Sequence, residues 1–248
     1  DPFGNPWVVY FDQAFFIKVA RYHGGSSGTG CTGGSTAWTC STPSSGIGGQ
    51  TSIAFDNSGK PHITFHTAFG VYIVGYCTLD ISWSCINLDY VGTAGFGDKA
   101  SIAIAPDGIP WVTYREPSNG VRYAKYVGGG AGTGCAVTTD WTCALAANPG
   151  ATTANTALGF DPSGAAQFAY YNGADLYLAR YVGSGGSGCA GTTDNKFTCI
   201  AVNTAGSVGV GNSLAYDTAG RLWISSIDDT SGDIVVANLK RAGEISIS

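Results

Sequence analysis

The stretch Ser101-Ile-Ala-Ile-Ala-Pro-Asp-Gly-Ile-Pro-Trp-Val-Thr-Tyr114 recurs with variations along the chain. Related copies begin at residues 52, 157 and 213, and a fifth copy without its first segment opens the chain at residues 1–10. Each full copy joins a short apolar segment, a turn of the type Asp-x-x-Gly and a segment rich in aromatic and β-branched residues, with Ala105 replacing the Asp in the copy quoted. Since Asp and Gly favour tight turns, each copy predicts an antiparallel hairpin.

Two further segments complete the repeat. A third strand is predicted where Ala recurs between longer side chains, as in Arg122–Tyr126, and a fourth at segments such as Trp141–Cys143, with a Gly-rich, flexible hairpin extension between them. The copies start 49 to 56 residues apart, and a repeat of this length with only strand signals is typical of a propeller with one four-stranded sheet per repeat. We therefore predict an all-β, five-bladed β-propeller in one domain, residues 1–248, with blades at about 1–51, 52–100, 101–156, 157–212 and 213–248.

The ends of the chain leave the strand count open. The first copy lacks its innermost strand because Asp1 aligns with Asp56. The terminal segment Glu244–Ser248 either forms the fourth strand of the last blade or supplies the missing strand of the first blade. The short link that precedes the segment favours the first alternative, since crossing a blade takes several strand spacings of about 4.8 Å.

The eight cysteines form four pairs close in sequence, which occupy the same place in four repeats. Because the arrangement repeats, we predict that each pair closes within its own blade, across the turn between the third and fourth strands. Spacings of this length fit a zinc site poorly, and disulfides predict an oxidising, extracellular location. The predicted pairs are Cys31/Cys40, Cys77/Cys85, Cys135/Cys143 and Cys189/Cys199.

Charge and hydropathy exclude two classes of partner. The net charge is −5 and charged residues make up 12% of the chain, without a basic cluster, which argues against nucleic-acid binding. No apolar run approaches the length of about 20 residues that spans a bilayer, so membrane insertion is not predicted.

The repeat Ser-Ile-Ala-x-Asp-x-x-Gly-x-Pro-x-Ile/Val-x-Tyr resembles one found in secreted and surface-anchored bacterial β-propeller proteins. It is also similar to the NHL-type blade, in which the Asp-x-x-Gly turn joins the two innermost strands. The resemblance implies five blades and a binding role such as that of a lectin or adhesin. Ala105 and Ala166 depart from the pattern. The ending Ile245-Ser-Ile-Ser248 resembles that of trimeric fibre proteins that lose a C-terminal chaperone after a Ser, which implies a fibre-tip adhesin.

Residue types that would carry catalysis do not form a recognisable set. The sequence indicates no nucleophile–base pair, and it lacks the Gly-x-Ser-x-Gly motif and the repeated boxes of sialidase-type propellers. Asp228–Asp233 resembles a fragment of a calcium loop without the closing Glu and is interpreted as an acidic turn, and His62 is interpreted as a packed ring with a partner. We predict no catalytic residue, no metal and no cofactor.

Loops that follow the second strands should lie on one face of a propeller, joined there by the crossovers between blades. These loops carry aromatic and planar polar side chains, the types that bind sugars, and they differ from blade to blade, so we predict one or two sites. The predicted ligand-binding residues are Asp12, Phe15, His66, Phe69, Asp98, Arg115, Glu116, Tyr171 and Asn172.

Two functions follow from these observations. The first is an extracellular, lectin-like adhesin of a bacterial surface protein that binds a glycan or cell-surface polysaccharide. The alternative is a structural or protein-binding module of a larger surface assembly, such as a trimeric fibre.

Overall fold

The computed structural model describes residues 1–67, 72–92, 100–116, 120–150, 155–192, 194–239 and 245–247. Across these ranges the regular elements are 18 β-strands in four antiparallel sheets. Strand order within each sheet follows the chain, so each sheet is a meander of hairpins. The all-β prediction is therefore confirmed.

The largest sheet contains two repeats joined through one long strand. Its strands are β1 (Trp7–Phe11), β2 (Phe16–Tyr22), β3 (Trp38–Phe55), β4 (Pro61–Thr67), β5 (Tyr72–Leu79) and β6 (Trp83–Gly92). Strand β3 pairs with β2 between Trp38 and Ile47 and with β4 between Gly48 and Phe55. We call β1, β2 and the first part of β3 unit 1, and the rest of β3 with β4 to β6 unit 2.

Each of the other three sheets has four strands. Unit 3 contains β7 (Ser101–Ile104), β8 (Pro110–Arg115), β9 (Val121–Tyr126) and β10 (Trp141–Ala147). Unit 4 contains β11 (Thr156–Phe160), β12 (Ala166–Tyr171), β13 (Leu176–Tyr181) and β14 (Phe197–Asn203). Unit 5 contains β15 (Val208–Tyr216), β16 (Leu222–Asp228), β17 (Ile234–Leu239) and β18 (Ile245–Ile247).

Strand β18 decides between the alternatives for the C-terminal segment. It pairs with β17, with Ala237 opposite Ile247, and is therefore the fourth strand of unit 5. Among the strands that the structure describes, β1 lies at the edge of its sheet and pairs with β2 alone. The closed ring of five blades and the blade boundaries stay predictions.

The four predicted disulfides are all present, each within a single unit, and every cysteine has the partner that the sequence predicts. The bridges are Cys31–Cys40, Cys77–Cys85, Cys135–Cys143 and Cys189–Cys199.

The bridges span the turn between the third and fourth strands, as predicted, but the elements that they join differ between units. Only Cys77 and Cys85 lie directly opposite each other on paired strands. The fourth-strand cysteines Cys40, Cys143 and Cys199 instead lie opposite alanines of the third strands, namely Ala20, Ala124 and Ala179. Their partners Cys31, Cys135 and Cys189 lie in the Gly-rich loops.

The reason for the difference is the path of the Gly-rich loops, which fold back along the fourth strands instead of extending freely. In unit 1 the amide of Cys40 donates to the carbonyl of Thr29 at 2.8 Å, and in unit 4 the amide of Cys199 donates to the carbonyl of Ser187 at 2.9 Å. Each loop therefore brings its own cysteine beside the fourth strand. The bridges at Cys40 and Cys199 consequently fasten a loop to a strand and do not join two strands.

The hydrophobic core lies between neighbouring units, because side chains of a strand alternate between the two faces of its sheet. On β8, Val112 and Tyr114 pack with Leu88 of unit 2, whereas Trp111 packs against Tyr181 of unit 4 with ring centroids 5.1 Å apart. We call the face of a unit that packs against the unit before it in the chain its preceding face, and the face that packs against the next unit its following face. Burying one large apolar side chain contributes about 1.5–3 kcal/mol, so contacts between units make a large contribution to the stability of the fold.

Candidate functional site

His66 lies next to the end of β4, and Arg115, at the corresponding place in the repeat, ends β8 in the adjacent unit. His66 is buried, and neither of its ring nitrogens has a hydrogen-bond partner. Burial, followed by the nearby positive charge of Arg115, lowers the pKa of His66 to about 4. The ring is therefore neutral at pH 7, and the positive charge of Arg115 acts on it.

Asp12 and Asn172, both predicted to bind ligand, close their own loops. The Asp12 Oδ1 atom accepts hydrogen bonds from the backbone amides of Ala14 and Phe16 at 2.9 and 3.0 Å. Asn172 Oδ1 accepts from the amides of Ala174 and Asp175 at 3.0 and 2.7 Å. These side chains serve loop geometry, the usual role of Asp and Asn at turns.

Three other predicted residues have neighbours of their own, and two lie outside the described residues. Phe15 stacks on Phe11, and the Tyr171 hydroxyl lies 2.9 Å from Ser207 Oγ. Glu116 Oε2 lies 3.5 Å from a guanidinium nitrogen of Arg122. The two predicted residues outside the described ranges are Phe69 and Asp98.

A buried polar network, not predicted from the sequence, fixes the position of Arg122. Asp89 Oδ2 accepts from the Tyr114 hydroxyl at 2.7 Å and lies 3.2 Å from Arg122 Nε, while its Oδ1 accepts from the amide of Ala136 at 2.9 Å. Burial, followed by the charge of Asp89, raises the pKa of Tyr114. Every member has a partner, so the network joins units 2 and 3 structurally.

A cleft of about 710 Å³ lies between units 4 and 5. We call it the 4–5 cleft. Its rim consists of the hairpin turns that begin at Asp161 and Asp217, in which the amides of Gly164 and Gly220 donate to the carbonyls of those Asp residues. Gly220 is required where the turns meet, because its φ is +74° and a Cβ would lie 2.6 Å from the ring of Pro162.

Three polar side chains form one wall of the 4–5 cleft. Asp161 Oδ2 accepts hydrogen bonds from Arg180 Nε at 2.8 Å and from Gln167 Nε2 at 3.0 Å. Burial alone would raise the pKa of Asp161, but hydrogen bonds from Ser163, the Ala165 amide and Arg180 outweigh it and hold this pKa at about 2. Asp161 therefore stays ionised and orients the guanidinium, whose exposed part faces the cleft.

Aliphatic side chains of both units line the rest of the cleft, together with one phenol of unit 5. The Tyr216 hydroxyl is buried and has no hydrogen-bond partner, and burial raises the pKa of this phenol. A buried hydroxyl without a partner is costly, so a ligand that displaces the side chains covering it and bonds to it would gain correspondingly. The aliphatic lining consists of Leu178, Val182, Ile200, Leu222 and Leu239.

This arrangement suits binding better than catalysis. A guanidinium, a phenol and an amide can hydrogen-bond neighbouring hydroxyl groups, and an aliphatic wall can cover the apolar side of a sugar ring. Asp161 is fully engaged as an acceptor and too acidic to serve as a general acid near neutral pH. Across the described ranges, no group of three or more His, Cys, Asp or Glu side chains is placed to hold a metal ion.

None of the predicted ligand residues lines the 4–5 cleft. One signal in the sequence could have located it: Gln167 stands where units 1, 3 and 5 have Trp7, Trp111 and Trp223. A planar polar side chain at a position that otherwise takes an indole marks unit 4 as different.

Two other interpretations can be compared with the structure. His62 is buried, and its Nδ1 lies 2.6 Å from the Tyr76 hydroxyl, so it is a packed ring with a partner, as predicted. Asp228 Oδ1 accepts from the amide of Thr230 at 2.8 Å, which is the geometry of a turn. No helix that could cross a membrane is found among the residues described.

No protein-family model matches the chain, and no curated protein matches it either. Solved structures do match. A protein of unknown function from Dyadobacter fermentans DSM 18053 is 12% identical with a TM-score of 0.52, and the match covers 97% of this chain. The chain spans 65% of the length of that protein.

Two further structures share the fold over nearly the whole chain. A fungal lectin, Aleuria aurantia lectin, is 10% identical with a TM-score of 0.61, and the match covers 98% of this chain and 73% of the lectin, which is described as a six-bladed β-propeller with a novel fucose recognition mode. An ulvan lyase, described as a new family of polysaccharide lyase, is 12% identical with a TM-score of 0.59 and coverages of 98% and 68%. At these identities the matches establish the propeller fold alone.

Proposed function

We propose that the chain is an extracellular carbohydrate-binding domain and that the 4–5 cleft holds one or two sugar residues of a glycan. The observation that carries this proposal is the combination of the Arg180–Asp161 pair and the unpartnered Tyr216 hydroxyl around an aliphatic wall. The volume of the cleft, about 710 Å³, lies in the range of small-molecule sites. The fold shared with a lectin supports the same function.

A cell-surface role is the finer part of the proposal. Four disulfides are typical of an oxidising environment, and all eight cysteines are engaged in them. We propose that the domain belongs to a bacterial surface adhesin and binds a cell-surface polysaccharide. A trimeric fibre assembly remains the alternative, and the mass of the protein in solution would distinguish a monomer from a trimer.

The test is a glycan array with the oxidised protein, followed by calorimetric titration of the best saccharide. Tyr216→Phe should weaken binding about 5–10-fold, since one hydrogen bond in a cleft contributes about 1–1.5 kcal/mol, and it should leave the thermal stability unchanged or raised because the hydroxyl has no partner in the fold. Tyr90→Phe, at an exposed tyrosine of unit 2, is the matched control and should bind like the parent.

Three results would redirect the proposal. Loss of binding in Arg115→Ala but not in Tyr216→Phe would move the site to the predicted strand-end surface around His66. Shortening of the bound polysaccharide, with new unsaturated ends, would replace binding by lyase activity. An array without any hit would favour the protein-binding module.

A further inference from the structure

The interfaces between neighbouring units follow one rule. The following face of each unit packs against the preceding face of the next, and the central residues of the preceding face become fully buried. Val112 and Tyr114 of unit 3 are each 0% exposed, as is Phe168 of unit 4. On the following face of unit 3, Trp111 is 4% exposed beneath unit 4. These exposed fractions describe covered faces, and the faces at the two ends of the series of five units are compared with them below.

The preceding face of unit 1 is uncovered. Val8 and Tyr10 occupy the places of Val112 and Tyr114 in the repeat, yet they are 47% and 39% exposed. Within the described ranges, the edge of β1 that an innermost strand would occupy also has no partner strand. An apolar face beside an unpaired strand edge is unusual in a stable sheet unless something covers both.

The following face of unit 5 is uncovered in the same way. Trp223 and Ile227 are each 39% exposed, although Trp223 occupies the place of Trp111. Among the residues described, no strand of unit 5 makes extensive contact with a strand of unit 1. The two ends therefore do not cover each other, and the five units form an open arc.

Hydrogen bonds between the inner strands of neighbouring units also indicate that the following face of unit 5 lacks a neighbour among the described residues. Ser101 Oγ accepts from the amide of Leu158 in the next unit at 3.0 Å, and Ser52 Oγ accepts from the amide of Ile102 at 3.4 Å. Ser213 occupies the corresponding place in unit 5 and is exposed. An innermost strand from one more unit would present an amide to it.

We propose that the following face of unit 5, which carries Trp223, and the preceding face of unit 1, which carries Tyr10, bind one further four-stranded sheet of the same repeat type. Another polypeptide segment supplies this sheet, so that six units close the ring. A single inserted unit offers a preceding face to Trp223 and a following face to Tyr10, and a strand continuing from it can pair with β1. The match covers 73% of a six-bladed propeller, which leaves roughly one and a half of its blades and is too little for a second five-unit arc.

A chain extended by its own repeat tests this. Residues 149–216, which carry the four strands of unit 4 and the inner strand of unit 5, are appended after Ser248 as the probe. The extended protein should melt at least about 5 °C higher than the original. Val8→Lys and Trp223→Lys should each change the Tm of the original by less than about 2 °C but lower that of the extended protein by about 5–10 °C. Val112→Ala, at a covered face, should lower the Tm of both proteins.

Other outcomes overturn the proposal. If Val8→Lys or Trp223→Lys lowers the Tm of the original chain as much as Val112→Ala does, the five units close the ring alone. If light scattering shows an oligomer that Trp223→Lys dissociates, a second copy is the occupant. If the appended repeat neither raises the Tm nor makes the two lysine variants destabilising, the faces bind no such sheet.

Discussion

The buried His66 shows how much a single residue can couple stability to pH. Its pKa is lowered to about 4 by burial and by Arg115, whereas a histidine in the unfolded chain titrates near 6.5. Between these values the unfolded chain binds a proton that the folded protein rejects. Stability is therefore fully present above pH 6.5 and is lost as the pH falls from 6.5 towards 4.

We expect His66→Phe to remove most of this dependence. The parent should lose about 3 kcal/mol more unfolding free energy than the variant between pH 7 and pH 4, since each pKa unit corresponds to about 1.4 kcal/mol. Phe is a reasonable replacement because Phe11 occupies the same place in unit 1. Urea unfolding at the two pH values measures the difference, with His23→Gln at an exposed histidine as control. Equal losses in parent and variant would contradict the prediction.

Sequence reasoning succeeded where a side chain acts on its own neighbourhood and failed where distant segments meet. The hairpins, the cysteine pairing and the packed ring of His62 all depend on residues within one repeat. The 4–5 cleft joins Arg180 to Tyr216 across two units, and Asp89 reaches Tyr114 across two others. Asp12 was predicted as a ligand residue, although an acidic side chain just before a turn more often caps it, as the structure shows.

At the scale of one element, the Gly-rich loops illustrate close packing of backbone on backbone. Gly28, Gly132 and Gly186 occupy equivalent places in units 1, 3 and 4, and a Cβ at each would overlap the carbonyl oxygen of the residue that opens the fourth strand. The composition alone predicted flexibility, because the sequence does not show which surface a glycine faces. The same packing places the bridges of Cys40 and Cys199 between a loop and a strand.

We expect Gly132→Ala to destabilise the protein by about 2 kcal/mol or more, because the loop must move away from the carbonyl of Trp141 and lose its hydrogen bonds to β10. Ala131→Ser, at the exposed neighbouring position, should stay within about 0.5 kcal/mol of the parent. Guanidinium unfolding of both variants with disulfides intact provides the comparison. A Gly132→Ala protein as stable as the parent would mean that the loop is not tightly packed.

At the scale of the whole molecule, stability should be highest in the middle of the array, as in other repeat proteins that depend on nearest-neighbour interfaces. Units 2, 3 and 4 are covered on both faces, whereas units 1 and 5 are covered on one. We expect the amides of β8 and β12 to exchange with deuterium most slowly, and those of β1 and β18 most rapidly. Exchange followed by mass spectrometry measures this order, and protection of β1 equal to that of β8 would contradict it.

The four disulfides have a consequence for the integrity of the chain. Their sequence separations are 9, 8, 8 and 10, and each lies inside a single unit. Only the main chain therefore connects one unit to the next covalently. A protease that cut once between β14 and β15 would leave two pieces that separate on a denaturing gel without any reductant. Disulfides hold units 1 to 4 together internally, whereas unit 5 has none and, apart from the main chain, only non-covalent contacts join one unit to the next.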